Sequence, residues 1–208
     1  MREGNRVKHV TTAALLAALC LSGPASGAGM EELVAQCEDC HGPGGVSTHQ
    51  DVPIIAGQSS AFIVKTLRIF QEWGRPCIKS SYRHGDTSRP KTDMCQVAEG
   101  LTSEDMQALG EHFSALPFKP APQTFDAALA ATGAALHETH CETCHANGGQ
   151  VADRGPRLAG QWTPYLRTSI KFVPTGEHMV PPAMESAVND LAPEDIDALM
   201  HYYASQQE

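Results

Sequence analysis

The chain has 208 residues, with 15 Lys and Arg against 24 Asp and Glu, a formal charge of −9 at neutral pH. So acidic a chain is repelled by a phosphate backbone, which argues against nucleic-acid binding. Its length suits two domains of somewhat under about 100 residues once the N-terminus is set aside.

That N-terminus reads as a signal peptide. Arg2, Arg6 and Lys8 form a basic start, Val10 to Leu21 is an apolar run, and Ser26-Gly27-Ala28 offers small residues for cleavage after Ala28. The run is too short for a permanent membrane helix. Leu19 occupies the position that must be small in a lipoprotein box, so Cys20 is expected to leave with the peptide. Removing residues 1–28 also takes away Arg2, Arg6, Lys8 and Glu3, moving the formal charge from −9 to −11. The expected mature protein is soluble and periplasmic, with no stable membrane insertion.

The stretch Met30–Cys37 leads into Cys37-Glu38-Asp39-Cys40-His41, and the same signature returns as Cys141-Glu142-Thr143-Cys144-His145. Cys-x-x-Cys-His is the attachment pattern of a c-type haem. Two thiols three positions apart reach the two vinyl groups of one porphyrin, and the adjacent His lies under the iron. A redox dithiol would need a thioredoxin-like βαβ context, which is missing. A zinc site would need the pairs closer together, or further ligands between them. The chain is therefore expected to carry two covalently bound haem c groups, through Cys37 and Cys40, and through Cys141 and Cys144, with His41 and His145 as iron ligands.

The rest of the chain repeats as well. Pro53-Ile54-Ile55-Ala56-Gly57-Gln58 matches Pro156-Arg157-Leu158-Ala159-Gly160-Gln161 at an offset of 103. Met94 and Leu101 match Met184 and Leu191 at an offset of 90, so the first half holds 13 extra residues before its Met. Helical periodicity follows each repeat. Ser60 and Thr163 are expected N-caps, with Pro164 at the first helical position of the second copy. Phe62, Ile63, Leu67 and Phe70 form one apolar face, and Tyr165, Leu166, Ile170 and Val173 its counterpart. Thr102-Ser103-Glu104-Asp105 opens a last helix striped by Met106, Leu109, Phe113 and Leu116. Pro193-Glu194-Asp195 opens the second copy, with Ile196, Leu199 and Tyr203. Before the second haem motif, Phe125, Leu129, Gly133 and Leu136 recur at helical spacing. Pro117 to Gln123 is a proline-rich linker expected to run extended. No stretch alternates like a strand. The expected fold is all-α, with domains at 29–118 and 124–208.

Residues 75–91 carry Arg75, Lys79, Arg83, Arg89 and Lys91 against one acid, Asp86. Such a segment can steer an acidic partner, or it can be a solvated loop with arginines paired to haem propionates. Cys77 and Cys95 bracket it and are the mature cysteines outside the haem motifs. In an oxidising compartment their default is a disulfide.

With its two Cys-x-x-Cys-His motifs, two Pro-x-x-Ala-Gly-Gln segments and two methionines before the final helices, the mature chain resembles tandem class I cytochromes c of the di-haem c-four type. It is also similar to the cytochrome subunit of flavocytochrome c sulfide dehydrogenases. The resemblance implies that the Pro53 and Pro156 carbonyls accept hydrogen bonds from the ligating histidines. It implies Met94 and Met184 as the axial ligands opposite His41 and His145. Met179, beside Pro181-Pro182, competes with Met184 but breaks the 90-residue offset. His140, His178 and His201 are expected at the surface or a haem edge. Some di-haem thiosulfate dehydrogenases use a Cys ligand, which keeps open iron ligation by Cys77 or Cys95. The implied function is electron transfer between redox partners such as a terminal oxidase, a reductase or a flavoprotein dehydrogenase, in respiratory or sulfur-oxidation electron transport. The alternatives are a di-haem thiosulfate or sulfur dehydrogenase, or the cytochrome subunit of a flavocytochrome sulfide dehydrogenase.

Overall fold

The computed structural model describes Met1 and residues 29–207 apart from residue 154, so the expected signal peptide lies outside the described residues except for Met1. Regular structure among these residues is helical: α1 (Met30–His41), α2 (Ser60–Gln71), α3 (Met94–Glu99) and α4 (Ser103–Ser114), then α5 (Ala127–His140), α6 (Ala146–Gly149), α7 (Thr163–Ile170), α8 (Pro182–Asn189) and α9 (Pro193–Ser205). One antiparallel bridge, Ser80 to Thr92, pinches the extra segment of the first half. No described helix is long and apolar enough to cross a membrane.

Local chemistry sets the helix ends. Thr102 accepts from the Asp105 N–H at 3.1 Å while the Asp105 carboxylate accepts from the Thr102 N–H at 2.9 Å, a closed capping box. Asp195 accepts likewise from the Ala192 N–H at the start of α9. Two expected caps move by one position. Ser59, not Ser60, caps α2 by accepting from the Phe62 N–H. Thr163 is the first residue of α7 rather than its cap, and its N–H and hydroxyl donate to the side chain of Gln123 in the linker. The nearer serine and a long-range glutamine compete for roles that sequence spacing alone assigns to Ser60 and Thr163.

Each half closes on its own core. Leu33 of α1, Ile63 and Leu67 of α2, and Met106, Leu109 and Phe113 of α4 pack together with Leu101. In the second half Leu166, Leu199, Met200 and Tyr203 are surrounded by Leu136, Leu158, Leu191 and Ile196. Burying a side chain such as Phe113 stabilises by roughly 1.5–3 kcal/mol. The stripe that α5 buries is Ala130, Gly133 and His137; Phe125, expected in that stripe, precedes the helix and is exposed.

A third cluster joins the halves: Ile54, Ala56, Ala121 and Trp162, flanked by Phe118 and Tyr165. The linker is pinned into it, its Ala121 N–H donating to the Gly160 carbonyl at 2.7 Å. The repeated Ala-Gly-Gln segment explains itself here. Ala56 and Ala159 are fully buried. Gly57 and Gly160 take φ of +69° and +74°, and a Cβ on either would stand under 3 Å from neighbouring atoms. The chain turns there and sends each glutamine across to the other half. Gln161 accepts from the Ile54 N–H at 2.9 Å and donates to the Ile54 carbonyl at 2.8 Å. Gln58 accepts from the Arg157 N–H at 2.9 Å and donates to the Arg157 carbonyl at 3.2 Å.

Candidate haem sites

The first Cys-x-x-Cys-His motif forms the last turn of α1, which places Cys37 and His41 on one face. His41 is buried, and its Nδ1–H donates to the Pro53 carbonyl at 2.8 Å. The second motif differs. Helix α5 ends at His140, and residues 141–145 form a separate turn closed by the His145 N–H donating to the Cys141 carbonyl at 2.9 Å. His145 nevertheless reaches the same arrangement, its Nδ1–H donating to the Pro156 carbonyl at 3.0 Å. Gly155 makes room for this ring: a Cβ there would lie 2.6 Å from His145 Cε1.

These donors suit haem c. Cys37, Cys40, Cys141 and Cys144 are all outside disulfides. Burial pushes the Cys37 thiol up to about 12, with Cys40 and Glu38 adding to the effect. Burial also lowers the affinity of His41 and His145 for protons, against the opposing hydrogen bond to each proline carbonyl. With Nδ1 committed to a carbonyl, Nε2 is the ring nitrogen left for a metal, and the outer hydrogen bond fixes ring orientation.

Met94 is the first residue of α3 and packs against the core that also receives Cys37. Met184 lies in the first turn of α8 and is half-buried. Helices α3 and α8 end at Glu99 and Asn189, again 90 apart, so the two methionines keep their shared register. Met179 is 55% exposed, with its N–H donating to the Gly74 carbonyl.

The extra segment straps back onto α1. The N–H groups of Arg83 and His84 both donate to the Asp39 carbonyl, at 2.7 and 2.9 Å. Arg89 pairs with the Asp39 carboxylate while lying over the Tyr82 ring, Arg83 pairs with Asp51 at 2.5 Å, and Lys79 with Asp93 at 2.9 Å. Acids outside the segment thus neutralise three of its five cations. Arg75 is buried and crosses to the second half, donating to the Tyr165 hydroxyl and to Ser169 Oγ. Cys77 and Cys95 are bonded as a disulfide, with Cα atoms 5.6 Å apart, next to Met94.

His178 differs from expectation, and His137, which the sequence does not single out, supports the second motif. His178 is buried: its Nδ1 faces the Ser169 carbonyl at 3.0 Å, and burial with the nearby Arg75 charge lowers it to about 4. His137, one turn beyond Gly133 on α5, is almost fully buried. Its Nε2–H donates to Glu142 and to the His145 carbonyl, and its Nδ1 accepts from the Tyr203 hydroxyl at 2.9 Å. Leu33 holds the corresponding place in the first half, so the histidine support of the second motif has no first-half equivalent, while Glu38 accepts from the Gly44 N–H as Glu142 does from the Gly148 N–H. His201 accepts from the Asp126 N–H, an exposed contact.

Residues 128–202 match the family described as cytochrome C oxidase, cbb3-type, subunit III. A thiosulfate dehydrogenase electron acceptor of Thiomonas intermedia is 30% identical over 183 residues, covering 82% of this chain and 77% of that protein. The chain belongs to the di-haem class I cytochromes c. Cytochrome c4 of Azotobacter vinelandii is 26% identical over 208 residues, with 90% of this chain and 94% of that protein covered. The fold is also that of reduced cytochrome c4 from Pseudomonas stutzeri, with a TM-score of 0.68 at 23% identity over 85% of this chain and 96% of that one. As a member of this family, the protein is an all-α, di-haem electron-transfer cytochrome whose cofactors are two covalently bound haem c groups.

Proposed function

We propose that the protein is a periplasmic electron acceptor for a dehydrogenase that oxidises thiosulfate or a related sulfur compound, passing electrons on to a further redox protein. Each haem, when bound, supplies an iron that gains and loses one electron. Cys37 and Cys40 would attach one haem and Cys141 and Cys144 the other, with His41 and Met94 holding the first iron and His145 and Met184 the second. The domain boundaries are 29–118 and 124–208, after cleavage of residues 1–28. The observation that carries the site assignment is the duplicated His-to-proline hydrogen bond, 2.8 Å in one half and 3.0 Å in the other, beside four unbonded thiols.

The chain's own residues act by orientation. Pro53 and Pro156 hold the imidazoles and raise their basicity. The Met94 and Met184 thioethers would favour ferrous iron and leave it no open site, which suits a carrier rather than a substrate-binding catalyst. The resemblance to a protein named as a thiosulfate dehydrogenase electron acceptor supports the sulfur-compound donor.

Mass spectrometry of denatured mature protein tests the assignment: the polypeptide from residue 29 plus two haems is expected, and a single-haem mass rejects it. Stopped-flow mixing tests the role. The oxidised cytochrome should stay oxidised with thiosulfate alone and be reduced when a thiosulfate dehydrogenase is added. Sustained thiosulfate oxidation by the isolated cytochrome would make it the enzyme instead.

A further inference from the structure

The hydrogen bond from His41 ends on the carbonyl oxygen of Pro53, and the N–H of that same peptide unit belongs to Ile54. That N–H donates to Gln161 of the other half at 2.9 Å. The mirror arrangement holds in the second half. The Pro156 carbonyl accepts from His145, and the N–H of the Pro156–Arg157 peptide donates to Gln58 at 2.9 Å. Both glutamines are almost fully buried; the two bonds of Gln161 are shielded from water, and the two of Gln58 are partly so.

A peptide group that donates through its N–H becomes a better acceptor at its oxygen, by on the order of 10–30% per bond in condensed-phase estimates. A stronger acceptor draws more on the imidazole Nδ1–H, makes Nε2 a more electron-rich ligand and favours ferric iron.

We infer that each glutamine is a positioning residue for the haem of the opposite half: Gln161 sets the ligand strength of His41, and Gln58 that of His145. The inference rests on the proposed His41 and His145 ligation. It gives the seam a second role besides holding the halves together. The reduction potential of each haem depends on a side chain carried by the other half, so loosening the seam changes both potentials in the same direction.

The test uses the full-length holoprotein with Gln161→Met and Gln58→Met, in a redox titration followed by absorbance. Each titration step is assigned to its half with Met94→Ala and Met184→Ala. Gln161→Met is expected to move the first-half haem to a more positive potential and leave the second-half haem in place; Gln58→Met should do the reverse. Gln161→Glu keeps an oxygen facing the Ile54 N–H and is expected not to raise the first-half potential. It also serves as the measurement if the Met variant does not fold. A shift confined to the haem of the mutated half, an equal shift of both in each variant, no shift, or a rise with Gln161→Glu would overturn the inference. A parent spectrum without two His-ligated low-spin haems would instead reject the ligand assignment beneath it, so the two failures are distinguishable.

Discussion

Gly133 of α5 meets Ala198 of α9 so closely that a Cβ on the glycine would stand 2.1 Å from the Ala198 carbonyl oxygen. Backbone faces backbone at this crossing, and neither side has a flexible end that can give way. Gly133→Ala would gain about 1 kcal/mol of helix propensity. The clash outweighs it, because overpacking that must shift backbone costs about 1–3 kcal/mol or more. The expected outcome is a net loss of roughly 1–2 kcal/mol in denaturant unfolding of the second half, with the first-half transition unchanged.

The methionine register gives a second prediction. Met184→Ala should abolish one methionine-to-iron charge-transfer signal and lower the potential of the second-half haem, since the sulfur favouring ferrous iron is gone. Met179→Ala should leave both haems as they were, consistent with its 55% exposure. The reverse pattern in the near-infrared spectrum would assign the ligand to Met179.

How much of this could be read from the sequence depends on range. The haem motifs are legible because thioether attachment and the neighbouring His need fixed local spacing. The capping box at Thr102 and Asp105 is equally local. The Pro and Gln of the repeat could be matched by offset, but their partners could not: Gln161 bonds Ile54, 107 positions away. The same holds for Arg89 and Asp39, 50 apart, which turn a segment that looks like a free basic loop into a strap. His137 and His178 were hidden for another reason. A lone histidine has no apolar signature, and only its partners, Tyr203 and Glu142 or Ser169, make its burial possible.

The bridge between Cys77 and Cys95 can be tested by chemistry. Alkylation of the protein unfolded without reductant should label neither cysteine. Cys77→Ser should cost roughly 3 kcal/mol by the loop-closure argument and loosen Met94 at the first iron, seen as a weakened charge-transfer signal. Labelled Cys77 and Cys95 in the unreduced sample would leave a cysteine ligand or a reactive thiol as the better account.

Acid should act through His178. Its folded affinity for protons is lowered to about 4 from the 6.5 of a free imidazole, by burial first and then by the Arg75 charge. Between these values the unfolded chain binds the proton and the folded one does not. The stability contribution is therefore complete above about pH 6.5 and declines as pH falls towards 4. Allowing for solvent screening, the loss is on the order of 2 kcal/mol. The groups facing the ring are Ser169, on α7, and Arg75, from the strap. Comparing melting temperatures at pH 7 and pH 4.5, His178→Gln should show a smaller acid-induced drop than the parent. An equal drop would place the acid sensitivity elsewhere.

The crossed glutamines have one more consequence. Residue Gln58 treats Arg157 as Gln161 treats Ile54, so these four bonds repeat under a half-turn, the rule obeyed by the interface of a two-fold homodimer. Other contacts break that symmetry: the Trp162 indole N–H donates to the Ser47 carbonyl, and Arg75 reaches Tyr165 and Ser169. The stretch Pro117–Gln123 breaks it too, because it lies in the seam itself, with Ala121 buried there and its N–H on the Gly160 carbonyl. These one-sided contacts make the two ends of the seam different, so the halves meet in one order only.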